Sequence, residues 1–479
     1  MSTNTVILSK AKNLGGGGAT TIGFIPLDDR PVSFSQPLAL AQECGHTILH
    51  PPVEWLGHRF TPGQPERIGQ WLIEHADQVD GWVIALDMLA YGGLVASREP
   101  AEPLATLTNR LAVVKQAKTH AKSIPFYAFQ SIRRLSITVK SEKDIPEWER
   151  ASAEPVKETA VTSRLINHQL NRSAIDMVKD GVIDFLSLLQ EDARPGGVQE
   201  PEQVALLQEI SHHTLQDKAN LTTGCDEGAF VLMARLILQK QNRRPQVRVV
   251  YASEKGARAI ALYEDRTIAQ SVAGQVRALG GVLCESAKEA DIALLVWCPD
   301  RPCRDLVFEA PGAVAPADVA DFILQIRSAL GHSCAVALAD VADANGADPQ
   351  LASALIRDTD FLRLAGYAAW NTASNTIGCA LAQAALNPES RSTLLLRFIE
   401  DWGYQTEVRP LLIRYIKETL TGDIWALSEE EPQKAERFLN ARMNEWLRGR
   451  PNAFQEYAKN IQYELPWGRA FEMAQALRC

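Results

Sequence analysis

No apolar run in the 479 residues reaches the roughly 18 to 20 residues that a membrane-spanning helix needs. Positive charge is also scarce. Lys and Arg number 49 against 58 Asp and Glu, giving a net charge of -9 and a pI near 5.6. A nucleic-acid surface needs a basic field, and an anionic membrane would repel this chain, so neither is an expected partner. The eight cysteines are scattered at 44, 225, 284, 298, 303, 334, 379 and 479, and none forms a CxxC pair. That pattern fits small buried hydrophobes in a reducing cytosol rather than a disulfide framework, so a cytoplasmic location is expected. The nine histidines include no HExxH, which disfavours a histidine-rich zinc site. A carboxylate-only Mg²⁺ or Mn²⁺ site is left open as the cofactor alternative to none. No GxGxxG follows an apolar run, and neither GxxxxGK(S/T) nor GxSxG occurs. These absences argue against a dinucleotide enzyme, a P-loop and a nucleophile elbow. Residues 1–20 lack the apolar core of a secretory signal and contain Gly15 to Gly18, so they read as a flexible leader.

What is present is a regular alternation. Apolar runs at 22–27, 82–87, 124–130, 183–190, 247–252, 291–297, 335–341 and 362–367 read as strands. Amphipathic stretches at 101–120, 160–180, 202–219, 227–240, 317–330 and 374–386 read as helices between them. Such alternation predicts an α/β fold with mainly parallel, Rossmann-like sheets. The polar segment 241–245 marks a boundary, giving one α/β domain over 21–245 and a second over 246–390. From about 390 the strand signal stops. Segments 391–403, 408–420, 430–447 and 453–478 read as helices, so 391–479 is predicted to be a helical layer packed on the body.

Acids recur where these runs end. Asp28-Asp29-Arg30-Pro31 follows the first, Asp87 the second, Glu191-Asp192 the run at 183–190, and Asp340 the run at 335–341. Parallel strands would gather such acids along one rim, where ligands bind in open α/β sheets. Any one of them taken alone is better explained as a helix cap or turn residue, and it is their recurrence that points to a site. Asp226-Glu227 opens a helix and reads either as a cap or as a carboxylate pair beside a ligand. In the segment 367–378, Trp370 and Asn371 precede a helix that begins near Asn375. Amides at a helix start form a neutral cradle, and the indole is placed to stack on a ring.

Together, Leu27-Asp28-Asp29-Arg30-Pro31-Val32, Tyr91-Gly92-Gly93-Leu94-Val95-Ala96-Ser97-Arg98, Asp340 through Asp348, and Tyr367 through Gly378 resemble the motifs of a bacterial family called domain of unknown function 4127. The resemblance runs from about residue 20 past residue 410. It implies that Arg134 matches the family arginine after Ile132, and that Asp192 and Asp226-Glu227 match family acids. It also implies work near sugar uptake and processing. The chain departs from the family pattern at Ser33, Glu191, Asp343 and Ala369.

The chemistry expected from these residues is a carboxylate-based hydrolase acting on a sugar or glycoside, since glycoside cleavage needs a pair of carboxyl groups. The catalytic candidates are Asp28, Asp29, Asp87, Asp192, Asp226 and Glu227, with Asp29 taken to face the cleft. Substrate-binding candidates are Arg30, Tyr91, Arg98, Arg134, Asp340, Asn345, Asp348, Trp370, Asn371 and Asn375. One alternative is a Mg²⁺- or Mn²⁺-dependent hydrolase or lyase. The other is a non-enzymatic sugar-binding protein. A small-molecule substrate, a sugar, is the expected partner, and a homo-oligomer is left open.

Overall fold

The computed structural model describes residues 19–151, 158–420, 422–428 and 430–477. Most of the leader expected at 1–20 lies outside the described residues. Two parallel sheets form the body. The first contains β1 (Thr21–Ile25), β2 (Thr47–Leu49), β3 (Gly81–Ala85), β4 (Phe126–Ile132), β5 (Phe185–Gln190) and β6 (Ala219–Thr223), in the order β2-β1-β3-β4-β5-β6. The second contains β7 (Gln246–Tyr251), β8 (Val282–Leu283), β9 (Ile292–Trp297), β10 (Ala335–Asp340) and β11 (Gly366–Ala368), in the order β11-β10-β9-β7-β8. Each sheet places its second strand outside its first and then reverses direction. Both therefore carry the doubly wound order, with a crevice beyond the strand ends at the reversal.

Most strands predicted from apolar runs are buried on both faces, the exception being β7, where one residue of six is buried. All residues of β3, β4 and β5 are buried, which explains the continuous rather than alternating apolar runs. Three strands of the two body sheets escape the sequence pattern. β2 and β8 are short edge strands of three and two residues. β6 is buried but polar, Ala-Asn-Leu-Thr-Thr, and its start falls in the stretch read as a helix at 202–219; that helix stops at His212. The strand expected at 362–367 shifts to Gly366–Ala368, behind a short 3-10 turn.

The polar break at 241–245 falls between helix Gly228–Lys240 and β7. The two sheets nonetheless share a middle layer. Helices Gly228–Lys240, Ile268–Leu279 and Ala373–Leu386 contribute Phe230, Val272, Val276, Ile377 and Leu381 to one apolar cluster with β7, β9 and β10. Close approach is built in at Gly378, where a Cβ would lie 2.4 Å from Glu227 Cγ. Among the described residues, no helix is long and apolar enough to cross a membrane.

The C-terminal region is mostly helical, with one correction. Ser392–Arg397 runs into a π-helical segment, Phe398–Val408, and then Arg409–Thr419. Helix Glu431–Arg448 follows. The helix expected at 453–478 ends at Ala458, and an antiparallel hairpin of β12 (Ile461–Glu464) and β13 (Ala474–Leu477) takes its place. In β12, Ile461 and Tyr463 are buried and their neighbours exposed, a period of two. Pro466 and the positive φ of Trp467 and Gly468 then turn the chain.

Candidate functional site: an arginine–carboxylate cleft

The carboxyl ends of both sheets and the loop between β12 and β13 enclose a solvent-open cleft of about 1030 Å³. From the first sheet come Arg30 after β1, Glu191 and Asp192 after β5, and Asp226 after β6. The second sheet supplies Asp305 after β9, Asn345 after β10, and Asn371 and Asn375 after β11. The hairpin loop adds Trp467, Arg469 and Phe471.

Arg30 is the organising cation. Its Nη2 donates to Asp226 Oδ1 (2.7 Å) and to Asp28 Oδ2 (2.8 Å), while Nη1 reaches Asp226 Oδ2 at 3.2 Å. The guanidinium lies 5.2 Å from the Trp467 ring centroid. Burial alone would pull its pKa down, but Asp226 and Asp28 win and hold it well above the usual arginine value. Asn371 Nδ2 also donates to Asp226 Oδ2, at 3.2 Å.

A second pair stands beside it. Arg98 Nη2 donates to Glu191 Oε1 at 2.5 Å, and Nη1 donates to Thr138 Oγ1 at 2.9 Å. Burial would raise the Glu191 pKa, yet Arg98 and Arg134 overcome it and hold the carboxyl below its usual range. Arg134 Nη1 donates to Asp192 Oδ2 at 2.5 Å, and its backbone N–H donates to Glu191 Oε2. Across the cleft, Asp305 accepts from Tyr263 Oη (2.6 Å), Asn345 Nδ2 (2.9 Å) and the Val307 N–H (2.8 Å).

The segment Trp370-Asn371-Thr372-Ala373-Ser374-Asn375 divides between cleft and core. Asn371 takes φ 60°, the left-handed region that asparagine tolerates, and so turns its amide toward Asp226. Asn375 Oδ1 accepts from the backbone N–H groups of Cys225, Asp226 and Glu227, at 3.4, 3.0 and 3.3 Å. One side-chain oxygen thus serves the donors at the start of helix Gly228–Lys240 and ties that helix to Ala373–Leu386. Asn375→Ala leaves those buried donors without it, so a loss of about 1–3 kcal/mol is expected in urea unfolding.

Of the sequence candidates, Arg30, Arg98, Arg134, Asp192, Asp226, Asn345, Asn371 and Asn375 meet in this cleft. Others do not line it. Asp28 lies behind Arg30 and holds it. Asp29, expected to face the cleft, instead accepts from Trp467 Nε1 (2.8 Å) and pairs with His58 Nδ1 (2.6 Å). It acts on the cleft by aiming Trp467. Asp87 is fully buried and receives the N–H and Oγ–H of Ser131, each at 2.8 Å. Glu227 is held inside by the Cys225 N–H and Gln275 Nε2, and burial pushes its pKa up to about 8. Asp340 accepts from the Asp348 N–H, and Asp348 caps helix Pro349–Asp358 and receives Trp297 Nε1. These two build the β10 turn that presents Asn345. Trp370 is fully buried, edge-on to Phe471 at 5.6 Å, and so cannot stack on a ligand. Tyr91 lines a neighbouring chamber.

Tyr263, Asp305, Trp467, Arg469 and Phe471 line the cleft and were not among the sequence candidates. Asp305 lies eight residues past β9, beyond the strand-end pattern. Trp467 could have been found from its Pro-Trp-Gly turn, which interrupts the apparent helix.

The arginines held by Asp226, Glu191 and Asp192 leave little net charge. Two cleft atoms are buried without a partner: Asn345 Oδ1, an acceptor, and Arg134 Nε, a donor. Among the described residues, no group of three or more His, Cys, Asp or Glu is arranged to hold a metal ion.

Comparison with known proteins adds the following. A C2-type ketoreductase from a modular polyketide synthase matches at 13% identity over 79% of this chain and 78% of its own. Its TM-score is 0.22, too low to carry any structural inference. No curated protein matches the chain. The pattern of the family described as protein of unknown function (DUF4127) matches residues 22–154 and 151–475, and with Arg30, Asp226 and the Asn371–Asn375 turn all inside that span, the chain belongs to this family.

Proposed function

We propose that the cleft binds a sugar or glycoside and hydrolyses it with carboxyl groups. The observation that carries this reading is the composition of the cleft. Arg30, Arg98, Arg134 and Arg469 line it with Glu191, Asp192, Asp226 and Asp305, so the charges balance. A balanced set of fixed donors and acceptors suits hydroxyl groups better than a phosphate or a free carboxylate. Trp467, Trp425 and Phe471 add aromatic surface to the lining.

Asp192 and Asp305 are the carboxyl groups best placed for the reaction. They come from opposite sheets, and both act electrostatically on the hydroxyl of Tyr263, which donates to Asp305. Asp192 pairs with Arg134 but is more than a quarter exposed at its side chain, whereas Asp226, paired with Arg30, is nearly inaccessible. One carboxyl group protonates the leaving oxygen and the other activates water or attacks the anomeric carbon. The test is a panel of aryl glycosides assayed with the wild type, Asp192→Asn and Asp305→Asn. Each variant is expected to lose turnover by about 10² or more, the usual scale for a positioned acid or base. Full turnover in either variant removes that residue from the chemistry.

A non-enzymatic binding role is a second reading, favoured by the arginine held on each of Asp226, Glu191 and Asp192. Thermal stabilisation by a sugar without turnover of any glycoside identifies it. The Mg²⁺ or Mn²⁺ alternative is tested by metal assay of chelator-free protein and by EDTA.

A further inference from the structure

Most of the stretch Tyr91-Gly92-Gly93-Leu94-Val95-Ala96-Ser97-Arg98 is not spent on the cleft. Tyr91, Val95, Ala96 and Arg98 form one wall of a second solvent-open chamber of about 990 Å³. Val95, Arg98 and Thr138 line both spaces, so the two adjoin across the Arg98–Thr138 hydrogen bond. The opposite wall is the loop carrying Phe60, Pro62 and Gly63.

This wall is constructed rather than incidental. Gly92 and Gly93 take φ 88° and 127°, and the 57–63 loop is pressed against them. A Cβ on Gly57 would lie 2.3 Å from the Gly92 carbonyl oxygen, and the Gly63 N–H donates to that same oxygen at 2.8 Å. The Asp29 N–H in turn donates to the Gly57 carbonyl at 3.2 Å, coupling the loop to the Asp-Asp-Arg turn. The consequence is to hold Phe60, 39% exposed, at the chamber mouth. Arg59 and Lys140 flank its ring at 4.8 and 5.5 Å from the centroid. The Tyr91 hydroxyl itself is buried and turned toward the Asn167 side chain, so the ring and not the hydroxyl lines the chamber. The charged side chains again balance, with Arg98, Arg110 and Lys140 against Glu66, Glu99 and Glu102.

We infer that the substrate spans both spaces, with one sugar ring in the cleft and a second neutral sugar unit in the chamber. Arg98 and Thr138 stand at the passage between the two units. The part-exposed Phe60 ring offers apolar surface, and the cations over it, with the chamber carboxylates, offer partners for hydroxyl groups. The proposal rests on the sugar reading of the cleft and adds to it that the ligand is a disaccharide or longer.

The test is calorimetric titration of neutral monosaccharides (glucose, galactose, mannose, N-acetylglucosamine) and their disaccharides into the wild type, Phe60→Ala and Ala101→Trp. Ala101 is an exposed chamber residue, so the indole fills space without disturbing the core. At least one disaccharide is expected to bind the wild type tenfold or more tightly than its monosaccharide. Both variants are expected to erase that gain and leave monosaccharide affinity unchanged, with melting temperatures confirming that they fold. Equal binding of mono- and disaccharides, or a gain that survives both variants, overturns the proposal while the cleft reading stands. Absence of binding by any sugar overturns both.

Discussion

Arg30→Met is expected to lower the unfolding free energy by about 3–5 kcal/mol, the usual penalty for removing one partner from a buried ion pair. The wild-type guanidinium satisfies two carboxylates, Asp28 and Asp226, each nearly inaccessible to water. Methionine keeps the apolar stem and its contact with Trp467 but leaves both acids without their cation. The Coulomb gain of the intact cluster is roughly offset by its desolvation, so the penalty comes from the stranded charges. A double variant, Arg30→Met with Asp226→Asn, is therefore expected to recover part of the loss, because only Asp28 then stays unpaired. Urea unfolding of the three proteins measures this. A single-variant loss below about 1 kcal/mol would mean that water reaches Asp28 and Asp226 freely, contrary to their burial.

Asp87→Asn is expected to change the pH dependence of stability rather than the fold. Burial pushes the Asp87 carboxyl up to about 7, from 3.8, against the pull of two Ser131 hydrogen bonds, with Glu191 adding to the rise. The folded protein then keeps a proton that the unfolded chain releases above about pH 4. Stability from this group is full below pH 4, falls as pH rises from 4 to 7, and levels off above 7. At about 1.36 kcal/mol per unit, the loss amounts to roughly 4 kcal/mol. Asparagine keeps the geometry: its Oδ1 accepts the Ser131 N–H, and its Nδ2 donates to Ser131 Oγ. The variant should match the wild type near pH 4 and exceed it by several kcal/mol at pH 8. Chemical unfolding at both pH values reads the difference. Parallel curves for the two proteins would show that Asp87 is ionised in the folded state.

The doubly wound body was legible because buried parallel strands are uninterrupted apolar runs. β3, β5, β9 and β10 lie within a few residues of their predicted positions. What failed were elements whose stability comes from neighbours. β6 is polar yet buried because Thr223 bonds with Ser374 and Glu264, partners far away in sequence. In β12 the two-residue alternation covers four residues and sits beside a helix, too short a signal to stand out. The site divides on the same principle. Arg30, Asp226 and the asparagines could be named from strand ends and helix starts. Which face each acid takes depends on contacts 196 residues apart, such as Arg30 with Asp226, and no local pattern encodes them. Asp28 and Asp29 show this most directly. They are adjacent, yet one holds a guanidinium and the other an indole that arrives from residue 467.

The indole of Trp467 also has a bearing on how the protein is made. Asp29 and Arg30 leave the ribosome more than 430 residues before the loop that covers them. At about 5–20 residues per second, translation leaves the first sheet waiting for tens of seconds with its Arg30 edge uncovered. During that interval a nascent chain has Arg30, Arg98, Arg134 and Asp226 but neither Arg469 nor the aromatic roof. The cleft is therefore completed only after the β12–β13 loop has emerged and docked, which makes its assembly a late event in biogenesis rather than an aid to early folding.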